Sequence, residues 1–432
     1  MENRYDRYKD SGIAWIGEIP EHWEVRKGKN IFKLRNSKGN SNAILLAATQ
    51  KYGMIPQSQI EGVVQVKQNT NLNTFKTVHK HDYVISLRSF QGGFEISEYE
   101  GVCSPAYQVF YSTIPCCNYF FKYLFKSYGF ISQINAFTLG IREGKNIQYE
   151  DFSLMKLPFP VLHEQQAIAD YLDRRCSEID DLIALQEEMI TKLQSYKQSV
   201  ITEAVTRGLD KNVPLKDSGI DWIGKVPEHW KVKRLKFSCN IFGRIGFRGY
   251  KSDDLVSEGE GAITLSPSNM KDMKMDYTNR TYLSWKKYYE SPEIIISNND
   301  ILMVKTGSTY GKCSFVENIP MECTINPQIV VLKRHKDYSK FLAYSFQTQA
   351  TRAFIETSVV GGTIPTIAQE KIMNYVFVFP PLAEQQAIAD YLDQRCSEID
   401  ELIALKQQKI EKLKEYKKSL IFECVTGKRK VS

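Results

Sequence analysis

No apolar run in this chain approaches the 18 residues or more that a membrane-spanning helix needs. The opening decapeptide, MENRYDRYKD, is polar and mixed in charge, unlike a secretory signal, so a cytoplasmic protein is expected. None of the nine cysteines stands in a CxxC pair, and the six histidines, His79 and His81 among them, lack metal-ligand spacing. No metal site is expected, and the thiols read as reduced. A phosphate-binding loop is also missing, because GSTYGKC at Gly307 has the wrong spacing. There is no Asn/Asp-Pro-Pro-Tyr/Phe tetrad of the kind amino-methyltransferases use. Asp300 with Lys305, and Glu143 with Lys145, match a nuclease carboxylate–lysine set only at chance level. A non-catalytic chain is expected.

Acidic residues are locally scarce. Between Val25 and His81 the only one is Glu61, against ten lysines and arginines. Lys231–Lys251 has none, and interleaves seven cations with Phe237, Phe242, Phe247 and Tyr250. Clustered cations on a chain of formal net charge +7 suit a polyanion partner, although a solvated basic face has the same composition.

What is abundant is repetition. EQQAIADYLDRRCSEIDDLIAL from Glu164 returns as EQQAIADYLDQRCSEIDELIAL from Glu384, with 20 of 22 positions identical. KDSGIAWIGEIPEHWEV from Lys9 returns as KDSGIDWIGKVPEHWKV from Lys216, with 13 of 17 identical. The chain therefore runs short motif, variable block, long helix, and then the same three again. The blocks differ from each other. Both are rich in short strand-like runs such as DYVISLRSF, YQVFY, EIIISNNDILMV and NPQIVVLK, and each also carries helical stretches, NYFFKYLFKSYGF and YSKFLAYSFQTQATRAFI. Each reads as an α/β or α+β domain. The boundaries read as 1–160 for the first domain, 161–208 for a central helix, 209–380 for the second domain and 381–432 for a distal helix.

Prolines precede each long helix, as in LPFPVLHEQQ and VFPPLAEQQ, and Gly208 and Gly427 end them. Leu172, Ile179, Leu193 and Val200 share one heptad position; Leu182, Met189 and Tyr196 share another. The second copy offers Leu392, Ile399, Leu413 and Leu420, with Leu402 and Tyr416. Gln186 and Lys406 interrupt the first line at matching places. Arg175 and Glu203 interrupt the second. Ile183, Ile190, Ile403 and Ile410 widen the stripe. A lone helix of about 43 residues with such a stripe needs a partner, and the other copy is the obvious one. Since the central helix delivers the chain to the second domain and the distal helix starts there, lengthwise pairing makes them antiparallel. The expected architecture is α+β: two globular domains joined by two long antiparallel coiled-coil helices, with pseudo-two-fold symmetry.

The paired EQQAIADYLD helices, the KDSGI-WIG-PEHW repeats and the two divergent blocks together resemble the specificity subunits of type I restriction–modification enzymes. The resemblance covers essentially the whole chain; Val161 and His163 stand where the second copy has Pro381 and Ala383. It implies that each block is a target recognition domain reading one half of a bipartite site in double-stranded DNA. It also implies that the helices space the domains and dock two modification subunits, and that restriction subunits join to cleave. S-adenosylmethionine, ATP and magnesium would serve those partners, with no cofactor in this chain.

Candidate DNA contacts lie on two pairs of loops. In the second block, Lys305, Ser308, Thr309, Tyr310 and Lys312 follow an apolar run, with Gly307 and Gly311 allowing close backbone approach. In the first, Arg88, Ser89 and Gln91 stand in DYVISLRSFQGGFE, where arginine suits guanine and glutamine suits adenine. A second pair of loops adds Arg142, Lys145, Asn146 and Thr363. Arg244 and Arg248 are candidate phosphate contacts. His22 and His229, each in PEHW, read as structural. A coiled-coil adaptor that binds proteins and no DNA is the alternative, and the acid-free stretches oppose it.

Overall fold

Both halves of the chain build the same sheet. A computed structural model describes residues 4–39, 43–50, 52–60, 72–86, 93–138, 147–221, 223–359 and 364–431, with the side chains of 137, 138 and 247 outside the description. It packs as two units, Met1–Glu187 with Gln407–Ser432, and Glu188–Lys406. Packing thus divides each long helix near its middle and does not set it apart as a separate domain.

In the first unit a four-stranded antiparallel sheet runs in the order Phe32–Arg35, Gln108–Ser112, Tyr83–Ile85, Phe94–Ile96. Helices Asn118–Lys126, Tyr128–Thr138 and Tyr149–Leu154 follow it in the chain. The core is largely aromatic. Phe32, Tyr83, Phe110, Phe121, Phe125 and Phe152 are buried together, and the Phe110 and Phe152 rings lie 4.9 Å apart. Such rings bury large apolar areas and add edge-to-face contacts of about 0.5–1.5 kcal/mol per pair. A closing strand, Lys156–Phe159, pairs with Glu24–Lys27.

The second unit repeats this order with Asn240–Gly243, Ile329–Lys333, Ile301–Val304 and Cys313–Phe315. Helices Ser339–Phe346, Gln349–Thr357 and Gln369–Met373 follow, and Val376–Phe379 closes against Lys231–Arg234. A second sheet, containing Gly261–Leu265 and Cys323–Ile325 as parallel neighbours, lies beside the first. The run EIIIS, expected to be extended, instead begins in a 3₁₀ turn, Pro292–Ile294, because the proline cannot join a ladder.

The long helices span Leu162–Arg207 and Leu382–Val425. Their repeated opening residues have repeated jobs. Glu164 accepts from the Trp23 indole at 3.0 Å and meets His22 Nε2 at 3.0 Å, and the Tyr5 hydroxyl also donates to it. Glu384 accepts from Trp230 at 3.1 Å and meets His229 at 2.8 Å. The next residue, Gln165, accepts from the Cys117 backbone N–H at 2.9 Å just before a domain helix; Gln385 accepts from Tyr338 at 2.8 Å. Nine residues after each glutamate, Asp173 takes the Tyr123 hydroxyl and Asp393 the Tyr344 hydroxyl. The two histidines of PEHW are structural, as expected.

Within each unit the helix halves pack antiparallel. In the first, Lys417 pairs with Asp180 at 2.6 Å while Arg429 lies near Tyr171. In the second, Lys197 pairs with Asp400 at 2.7 Å and Lys406 reaches Met189. The expected first seam line holds: Leu172, Ile179, Val200, Leu392, Ile399 and Leu420 are buried, with Leu193 and Leu413 half-buried. The second line does not. Leu182, Tyr196, Leu402 and Tyr416 are exposed, and Met189 is only half-buried. The companion line runs one residue later, through Cys176, Ile183, Ile190, Lys197 and Ala204, and through Cys396, Ile403, Ile410, Lys417 and Cys424. None of these is classed as exposed. The first line therefore occupies heptad position d and the companion position a, where β-branched isoleucine packs well in paired helices.

Both helices end on glycines in the left-handed region, Gly208 at φ +77° and Gly427 at φ +74°. A Cβ at Gly427 would lie 2.2 Å from Pro20 Cδ, whereas one at Gly17, φ +71°, would meet open space. Gly427→Ala should therefore cost roughly 2–5 kcal/mol, conformational strain plus overpacking, and Gly17→Ala only about 1–2 kcal/mol. Urea unfolding of the two variants checks this order.

Candidate nucleic-acid interface

In both units the hairpin at one edge of the sheet is entered the same way. A residue in the left-handed region, His81 at φ +68° or Asn299 at φ +71°, turns the chain. A buried aspartate follows. Asp82 accepts from the His79 backbone N–H at 2.8 Å and takes both Arg35 nitrogens, at 2.6 and 2.8 Å. Asp300 accepts from the Ser297 N–H at 2.8 Å and pairs with Lys333 at 3.3 Å. Burial raises the Asp300 carboxyl above its ordinary range, and Ser297 and Lys333 oppose that. Each hairpin thus rises from a buried, paired anchor.

Of the expected contacts, Arg88, Ser89, Gln91, Arg142, Lys145, Asn146 and Thr363 lie outside the described residues. The second hairpin is described in full. Its base is clamped on both sides: the Lys305 N–H donates to the Gln328 carbonyl at 2.8 Å, and the Ile367 N–H donates to the Lys305 carbonyl at 2.8 Å. Gly307, at φ +109°, donates to Pro365 at 3.0 Å. The tip residues Ser308 and Thr309 are exposed, Tyr310 and Lys312 are half-buried, and Gly311 packs on Ile355. Lys305 is half-buried, and burial lowers the pKa of its ammonium.

Two arginines fare differently. Arg248 is half-buried, with its guanidinium 3.4 Å from Glu293. Arg244 is corrected: it is 4% exposed, and its guanidinium donates to the Ile325 and Arg248 carbonyls and to the Thr324 hydroxyl. Burial lowers its pKa. A side chain turned inward between two sheets supports the fold and does not reach a phosphate.

The structure adds residues that composition did not single out. A groove of about 530 Å³ at the hairpin is lined by Thr306, Ser308, Thr309 and Lys312 of the hairpin, by Ser266, Ser268 and Lys271, and by Gln328. The Asn-Pro pair before Gln328 was a turn signal inside a run read as a strand. Among the described residues, no cluster of His, Cys, Asp and Glu could hold a metal, and no helix is long and apolar enough to cross a membrane.

Two α+β units, each with a variable hairpin on an anchored sheet and a share of two near-identical helices, define a duplicated recognition subunit. The chain belongs to the family described as the type I restriction modification DNA specificity domain, whose model matches residues 20–194 and again 227–415. The putative type I restriction enzyme MjaX specificity subunit of Methanocaldococcus jannaschii is 26% identical over 438 residues, covering 96% of each chain. The EcoKI specificity subunit of Escherichia coli is 25% identical over 214 residues, 48% of this chain and 44% of that one. Among solved structures, a chain from work on complex assembly and conformational transition of the type I R-M system aligns with a TM-score of 0.72 at 16% identity. It covers 94% of this chain and 98% of its own. The HsdS subunit from Thermoanaerobacter tengcongensis aligns with a TM-score of 0.55 at 17% identity, covering 95% and 98%. The chain is thus a non-catalytic specificity subunit, and catalysis resides in partner subunits.

Two outcomes are expected. Arg244→Ala should lower the thermal stability of the second unit by roughly 1–3 kcal/mol, because buried acceptors lose their donor, while Lys312→Ala leaves it nearly unchanged. Thermal unfolding of both variants reads this. The second outcome concerns Glu95, on the strand leaving the first hairpin. It is 2% exposed, and burial pushes its carboxyl up to about 7 despite Lys126 at 2.5 Å. The folded state then holds a proton that the unfolded state releases above about 4.5. Its contribution to stability is full below about pH 4.5 and is lost as pH rises through about 7. Glu95→Gln should flatten the fall in unfolding temperature between pH 5 and 8, compared with the parent.

Proposed function

We propose that each globular domain reads one half of a bipartite site in double-stranded DNA, and that the paired helices set the gap between the halves. The observation that carries this is the hairpin pair: one position in one sheet, one buried anchor, two unlike tips. Exposed Ser308 and Thr309 offer hydrogen bonds beside Lys312, which suits base edges flanked by phosphates.

The helices dock two modification subunits. Their outward apolar residues support this, because they recur at matched places: Leu182, Leu185 and Tyr196 on the central helix, and Leu402, Leu405 and Tyr416 on the distal one. Equivalent apolar ledges suit two copies of one partner. Those partners carry the S-adenosylmethionine-dependent methylation of adenine. Restriction subunits join for cleavage, using ATP and magnesium; this chain supplies no cofactor site.

A helix of 46 residues is about 69 Å long at 1.5 Å per residue. That matches about 20 base pairs at 3.4 Å each, an upper bound on the distance it can span along DNA. Seven residues inserted into each helix, after Gln186 and after Lys406, preserve the seam and add about 10 Å. The variant, expressed with its modification subunits, should methylate the same two half-sites with a gap longer by about three base pairs. Methylome sequencing reads the gap. The old gap, or new half-sites with it, would overturn the spacer role.

A further inference from the structure

The turn that clamps the second unit's hairpin has a counterpart in the first unit. In the second unit it is Asn326-Pro327-Gln328, and the Gln328 N–H donates to Asn326 Oδ1 at 3.0 Å. In the first unit the equivalent turn is Ser104-Pro105-Ala106, and the Ala106 N–H donates to Ser104 Oγ at 3.3 Å. Both turns lead into the same sheet strand, so Gln328 and Ala106 are equivalent positions. Both are exposed. One carries a carboxamide and the other a methyl group.

Gln328 is also preset. Its side-chain oxygen accepts from Asn326 Nδ2 at 3.1 Å, and its carbonyl receives the N–H groups of Lys305 and Thr306. Its amide nitrogen lies beside Gly307, 3.5 Å from where a Cβ would stand. It lines the same groove as Ser308 and Thr309 of the hairpin tip, and Lys271 and Lys312 line it too. An exposed carboxamide in a groove that also holds two lysines presents a donor and an acceptor together. That pair matches the N6 and N7 edge of adenine in the major groove.

We infer that the residue after the proline of this turn is a base-specificity position in each domain, and that Gln328 reads an adenine in the half-site of the second domain. The inference rests on the bipartite reading proposed above. Gln328→Ala should lower discrimination at one base position of one half-site by about tenfold to a hundredfold, leaving the other half and the gap unchanged. Gln328→Glu, which replaces the amide donor by an acceptor, should reject adenine there and favour cytosine. Ala106→Gln should alter one position of the opposite half-site.

The test is methylome sequencing of cells expressing each full-length variant with its modification subunits, alongside thermal unfolding of the purified complexes. An unaltered motif in both Gln328 variants would overturn the inference, as would a loss of methylation spread evenly over all sites in folded variants. If the parent itself yields no two-part motif, the bipartite reading fails, independently of Gln328.

Discussion

A carboxylate at the first turn of each long helix ties that helix to its own domain. Glu164 gathers the Tyr5 hydroxyl, the His22 ring and the Trp23 indole; Glu384 gathers His229 and Trp230. Trp23 and Trp230 are wholly buried, so each indole N–H needs an acceptor, and the glutamate is the one supplied. The constraint fixes the direction in which a helix leaves its domain. It also explains the seat of the opposite helix end, where Gly427 lies against Trp23 and Gly208 against Trp230.

The same division of labour governs the reading surface. The sheet and its buried aspartates are common to both units, while the hairpin tips and the proline turns differ. Affinity for DNA in general comes largely from phosphate contacts, which carry little sequence information. Substitution at the exposed Ser308 and Thr309 of the second hairpin costs the sheet little stability.

Much of this was legible in the sequence because the conserved contacts are written twice. The EQQ triplets, the PEHW turns and the terminal glycines recur together because the same contacts form in each unit. The hairpins were recognisable as apolar runs ending in glycine-punctuated loops. The seam was half legible. Leu182 and Tyr196 are more apolar than Lys197 and Ala204, yet they face outward. Both candidate lines lie within one turn of Leu172, and helical periodicity cannot say which flank the partner covers.

Arg244 shows the opposite failure. A cation in an acid-free segment has the composition of a phosphate contact, and only the two sheets around it direct it inward to carbonyls. By itself the chain's sequence determined the duplication, the helix limits and the kinds of residue available for recognition, because these depend on local periodicity and on identity between copies. Tertiary structure decided the phase of the helix seam, the burial of Arg244 and the place of Gln328 beside the hairpin. Those depend on which surfaces meet across tens to hundreds of residues, and burial is a property of the meeting rather than of the residue.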